Sequence, residues 1–145
     1  MKKCTTTLTI LMFLLCFSFT TGLAQDLSEK GVEGAKIAEV SRILISDGQI
    51  LEKCTCQDKA KMIEQAQKML KKGNEIQASA EMMFSGRAKA TMQEVARNML
   101  HGGNLLFEKG KQKGEITAED KAKINKLGKD MIRQGNLLLK KGETM

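Results

Sequence analysis

Proline, tryptophan and tyrosine are absent from these 145 residues, and there is one histidine. Without proline nothing forces a kink or an early helix stop. Of five phenylalanines, Phe13, Phe17 and Phe19 sit in the N-terminal apolar run, which leaves Phe84 and Phe107. Two aromatics cannot make a base-stacking platform, so nucleic acid is excluded as a partner. A lone His101 with no Cys-x-x-Cys-His sequence excludes attached haem and any economical Ser–His–Asp set. The glycines are spaced rather than clustered, so no phosphate-binding loop is present. Alternating β-branched runs are missing too, while Lys, Glu, Gln, Ala, Leu and Met abound, the composition of a helical protein.

The first residues read as a processing signal. Lys2 and Lys3 precede an apolar run from Leu8 to Phe19, and Gly22-Leu23-Ala24 offers small residues for cleavage after Ala24. The run falls short of the ~20 residues that span a bilayer. The expectation is a signal peptide over 1–24 and one domain over 25–145, exported to the periplasm or secreted. Losing Lys2 and Lys3 lowers the formal charge from +7 to +5. The charge is −2 over 26–53, +5 over 54–114 and +2 over 115–145. A basic middle suits an anionic membrane surface, or is simply a solvated bundle face.

A repeat of about thirty residues organises the rest. Thr55, Asp58, Lys59, Ala60, Lys61, Met69, Gly73 and Asn74 reappear as Thr117, Asp120, Lys121, Ala122, Lys123, Met131, Gly135 and Asn136. A third copy carries Lys89, Met99, Gly103, Asn104 and Gly110, and a fainter first copy carries Ala35-Lys36-Ile37 and Gly48. Inside each copy the period is seven. Large apolar residues fall at Ile37, Leu44, Leu51; Met62, Met69, Ile76, Met83; Met92, Met99, Leu106; and Ile124, Met131, Leu138. Small ones fall four residues after a large one and three before the next: Gly34, Ser41, Gly48; Ala66, Gly73, Ala80; Ala96, Gly103, Gly110; and Gly128, Gly135, Gly142. Spacings of three and four put both sets on one helix face.

A glycine inside a helix costs roughly 0.5–1 kcal/mol against alanine. Eight such glycines need an offsetting gain, and close approach of two backbones supplies one. Gly48, Gly73, Gly103 and Gly135 mark the seam, with a large Met or Leu of the next helix lying over each. The rival reading makes each Gly-Asn a helix stop, giving short helix–turn–helix pairs. The unbroken seven-residue phase favours long helices, near 27–53, 57–84, 87–113 and 118–143. Thr55-Cys56-Gln57-Asp58 and Thr117-Ala118-Glu119-Asp120 read as capping boxes, with Ser85 in the matching place. Short connections then predict an all-α, antiparallel up-down four-helix bundle of four glycine/alanine heptad repeats. An open array completed by dimerisation is the alternative.

Chemistry concentrates at KCTCQDK. Cys54 and Cys56 survive processing, whereas Cys4 and Cys16 leave with the signal. The pair suits a strained, reducible disulfide, an intermolecular bridge, or a soft-metal site such as Cu(I) with Met62 as third ligand. Two thiolates are too few for closed zinc. Equally, Cys54 matches Ile116 and fills a core position. His101 is placed opposite the seam, facing solvent. The methionines fill gaps over small residues; Met145 continues their phase and Met82 lies beside it. Asn74, Asn104 and Asn136 stand at the seam edge, where they either bond across the pair or do nothing. Acidic residues are placed on outer positions, so no carboxylates converge for acid–base work.

Ile116-Thr117-Ala118-Glu119-Asp120 resembles, over five residues, the Leu-Thr-x-x-Gln signature of the periplasmic Spy/CpxP stress proteins, with Ile for Leu and Asp for Gln. That resemblance implies a helical chaperone. The expected function is a non-enzymatic interaction or scaffold protein without a cofactor. It would act on a protein partner, with homo-oligomers allowed and no spanning of a membrane. A chaperone-like binder of unfolded clients or membrane surfaces is the first alternative. A copper or thiol-redox role through Cys54 and Cys56 is the second.

Overall fold

The computed structural model describes residues 31–144, and all regular structure among them is helical. The expected signal peptide, Cys4, Cys16, the predicted start of the first helix at 27 and Met145 lie outside the described residues. Helix α1 runs to residue 52 from the first described residue, 31. Then come α2 (Lys59–Met83), α3 (Gly86–Lys111) and α4 (Ala118–Glu143). The helices continue through Gly48, Gly73, Gly103 and Gly135 without a break. No described helix is long and apolar enough to cross a membrane.

The ends follow local chemistry. Thr117 caps α4, its hydroxyl accepting from the Asp120 amide at 3.1 Å. Glu119 and Asp120 in the first turn and Lys140 and Lys141 in the last complement the helix dipole. Ser85 precedes α3 without a side-chain cap bond. At α2 the sequence expectation fails. The cap is Asp58, accepting from the Lys61 amide at 3.0 Å, and Thr55 is left exposed. Cys56 sits in the left-handed region at φ +55°, so the helix cannot start three residues earlier.

All twelve small residues picked out by the repeat are buried. Their neighbours show why. A Cβ on Gly73 would lie 2.9 Å from Leu100 Cγ, and one on Gly103 would lie 2.8 Å from Leu70 Cγ. Each also faces a carbonyl, of Ala96 at 3.3 Å and Ala66 at 3.2 Å. Gly48 and Gly135 stand in the same reciprocal relation, against Ile132 and Ile45. Thus α2 pairs with α3 and α1 with α4. The side chains lying over the glycines are Leu100 and Leu70, and Ile132 and Ile45 where Met or Leu was expected; each stands beside a large core position. With the backbones this close, the residue beside each core position reaches across, and the core methionine turns inward.

The two pairs meet in a shared interior. A Cβ on Gly102 of α3 would meet Leu51 of α1, Met69 of α2 and Met131 of α4, so these residues form one layer. Met69, Met92, Met99 and Met131 are all but completely buried. Met83 is not: it is 63% exposed, although the heptad phase places it in the core. It ends α2, and the chain reversal brings Phe84 into the buried place instead.

A third set of positions, three residues after each large one, faces between the pairs. It contains Val40, Asp47, Lys72, Val95, Gly102 and Gln134, all buried or half-buried. Asp47 is 2% exposed and receives a 2.9 Å bond from Lys72, joining α1 to α2, while its other oxygen has no partner. Asn98 donates to Gln134 at 2.5 Å and Gln134 to Glu94 at 2.5 Å, joining α3 to α4. Asp120 is buried as well, on Lys109 at 2.9 Å. These two aspartates correct the expectation that acidic residues stay on outer positions. Each is drawn in by a lysine from the neighbouring helix. The asparagines after the glycines, Asn74, Asn104 and Asn136, are exposed and turned from the seam.

Candidate functional site

The thiols sit where one helix stops short. Leu51 shares a layer with Met69, yet Met69 lies ~15 Å into α2 from Lys59 at 1.5 Å per residue. Residues 53–58 must cover that height. Six residues, which reach ~20 Å when fully extended, cover it with room for a turn. The end of α1 is tied off for the purpose. The Cys54 amide donates to Leu51 O at 3.2 Å, and the Asn125 amide, turned to donate, reaches Leu51 O at 3.0 Å and Glu52 O at 3.3 Å.

The stretch carries Cys54 and Cys56 one residue apart, between the end of α1 and the Asp58 cap of α2. Cys56 adopts φ +55°, the one described non-glycine residue with positive φ. That turn brings Cys54 Sγ and Cys56 Sγ to 2.8 Å, and both are free thiols. Cys54 is half-buried; Cys56 is 6% exposed and packs in the core with Ile116. Burial pushes the Cys56 thiol up to about 12, helped by its hydrogen bond to Cys54 and the charge of that sulfur, and opposed by Lys121.

Two cavities flank Cys56. One, of about 230 Å³, is lined by Cys54, Cys56, Met62 and Leu106, with Lys53 and Lys61 among the residues at its wall. The other, of about 350 Å³, is lined by Cys56, Lys59, Ile116 and Lys121. Beside it Lys59 Nζ donates to Gln112 O at 2.6 Å and also to Gly114 O, so α2 is pinned to the connection between α3 and α4. Cys54, Cys56 and Met62 therefore come together on one cavity. His101 lies exposed on α3, apart from these linings. Among the described residues no three His, Cys, Asp or Glu converge to hold a metal ion.

A second surface feature was not legible as a site. Asp47 and Lys72 meet, so α1 rises from the Leu51–Met69 layer toward its N-terminal end as α2 rises toward its C-terminal end. Gly142 adjoins Gly34 at that same level of α1. Val32, Met82 and Met83 thus lie toward the end away from the thiols, all exposed, Met82 at 79%, while Leu137 is exposed at mid-helix. The heptad phase had marked Met83 for the core, and only its place at a helix end reveals it.

Ile116–Asp120 proves to be the α4 cap, with Ile116 buried beneath it, so capping and packing account for those five residues. No protein-family model, curated protein or solved structure matches the chain.

Proposed function

We propose that the chain is an exported, non-enzymatic interaction or scaffold protein. Its rigid core would be an antiparallel up-down bundle of four glycine/alanine heptad repeats. The reciprocal contacts of Gly48 with Gly128 and Ile132, and of Gly73 with Leu100, support the antiparallel heptad seam. The observation that carries the interaction reading is the pair of exposed methionines that ends α2, Met82 and Met83. Exposed large apolar groups set together suit a partner surface, and methionine adapts to varied contacts.

A photo-crosslinking residue at Met82, in cells making the full chain, should give discrete protein adducts that Met83→Glu abolishes. The same probe at Lys129, exposed on the side of α4, should give none. Equal labelling at both sites, or turnover of a substrate by purified protein, would contradict the reading.

The chaperone-like reading draws on the same methionines. It predicts suppressed aggregation of an unfolded client at near-equal ratio, lost in Met82→Gln/Met83→Gln. Unchanged suppression in that variant, or none in the parent chain, removes it.

A further inference from the structure

We propose that Cys54 and Cys56 are a reversible dithiol–disulfide site that exchanges two electrons with a disulfide of another molecule. Cys54 is the entry thiol and Cys56 the resolving one. The inference is independent of the interaction reading, because it uses the opposite end of the molecule.

Three observations carry it. The sulfurs stand 2.8 Å apart, so closing a bond of ~2.05 Å needs a shift of only about 0.8 Å. The backbone is held for that approach: on a regular strand the two Cα atoms would be ~6.6 Å apart with parallel side chains. The left-handed turn at Cys56 folds one thiol onto the other. A non-glycine residue persists in such a conformation only where its surroundings enforce it, commonly at functional positions. Third, the thiols are unequal. Both line a cavity of about 230 Å³ together with Lys53 and Lys61, Cys54 half-buried and Cys56 buried. Lys53 and Lys61 at that wall outnumber its one carboxylate, Asp58, and suit an anionic disulfide docking beside Cys54. Burial keeps Cys56 protonated, which fixes the order of events.

The exchange balances as follows. Cys54 gives its proton to solvent, and its thiolate attacks one sulfur of the incoming disulfide. The incoming S–S bond breaks, and the departing thiolate takes up a proton. Cys56 then loses its proton and attacks Cys54 Sγ, displacing the second thiolate, which is protonated in turn. The chain loses two electrons and two protons, and the oxidant becomes two thiols. The ring closed across Thr55 alone is strained, so a dithiol reverses the exchange readily.

The sulfurs fit a metal less well as they stand. With metal–sulfur bonds of ~2.3 Å, a 2.8 Å separation gives an angle of about 75°, far below tetrahedral.

The test uses the full chain with Cys4→Ser and Cys16→Ser, reduced, metal-free and challenged with oxidised glutathione. Whole-protein mass should fall by ~2 Da without dimer, and dithiothreitol should restore it. Cys56→Ser should accumulate a glutathione adduct at Cys54. Cys54→Ser should react at Cys56 at least ten-fold more slowly. Acid-quenched, alkylated samples of the parent, mapped by peptide, should show the transient adduct on Cys54, which needs no folded variant. Equal rates at the two thiols, an adduct first on Cys56, only interchain bridges, or a pair that binds Cu(I) yet resists glutathione disulfide would overturn the proposal.

Discussion

The two helix pairs follow one register but not one spacing. Within α1·α4 the small positions are Gly34, Ser41, Gly48, Gly128, Gly135 and Gly142, five of them glycine. Within α2·α3 they are Ala66, Gly73, Ala80, Ala96, Gly103 and Gly110, three of them alanine. A Cβ on Gly128 would meet Gly48 O at 2.6 Å, and one on Gly142 would meet Gly34 O at 2.8 Å. Across α2·α3 the carbonyls facing Gly73, Gly103 and Gly110 stand back at 3.2–3.3 Å, and side chains come nearest. Every alanine holds its partner off by one methyl, so the pair with fewer alanines closes further. Backbone spacing is therefore set by the count of methyl groups along a seam.

The largest effect should come from filling the closer seam twice. Gly48 and Gly128 face each other's carbonyls. Gly48→Ala/Gly128→Ala should lose about 4 kcal/mol in urea unfolding, since both methyls need room that only backbone separation provides. A Gly73→Ala/Gly103→Ala double should lose far less. Comparable losses would erase the distinction between the pairs.

The polar contacts between pairs obey different rules. Lys72 is 41% exposed, whereas Asp47 is buried with one oxygen unpartnered. Lys72→Met strands a buried carboxylate and should lose about 2 kcal/mol, below the ~3–5 kcal/mol of a fully buried pair because water reaches Lys72. Asp47→Val should be close to neutral, as Val40 and Val95 already occupy equivalent places. If Asp47→Val costs more than Lys72→Met, the ion pair matters beyond charge balance.

A smaller effect belongs to the α3–α4 corner. Thr117→Ala should lose about 1 kcal/mol of stability. The Lys109 ammonium holds the Asp120 carboxyl below its ordinary 3.8, assisted by Thr117 and opposed by burial. A depressed carboxyl stabilises the fold fully above its unfolded value. That contribution fades as pH falls through the lower folded value. Acid titration of the parent should therefore lose stability below about pH 4, and Lys109→Met should flatten that limb. An unchanged limb would separate Asp120 from Lys109.

The burial of the small positions was legible because one helix at a time encodes it. Large and small residues alternate at three and four, and the same face must turn inward whichever mate it meets. Among the described residues helix ends were legible within about two residues, except that Thr55 gave way to Asp58 because Cys56 turns left-handed between them. The contacts between pairs were not legible. Asp47, Lys72, Gly102 and Gln134 share a heptad position but no chemistry, and what they meet depends on how the pairs stack. The thiols were visible as a motif. Their 2.8 Å approach was not, since it follows from α1 ending a full ~15 Å short of α2 and from the turn at Cys56.

The most direct test sets two single substitutions side by side. Both gain roughly 1 kcal/mol of helix propensity. Gly103→Ala meets the movable end of Leu70, so its unfolding free energy should stay within about 1 kcal/mol of the parent. Gly128→Ala meets Gly48 O and the Glu52 amide, which cannot move alone, and should lose about 2 kcal/mol net. A Gly128→Ala chain as stable as the parent, or more so, would show that those backbones do not touch and that the glycines are not there to bring them together.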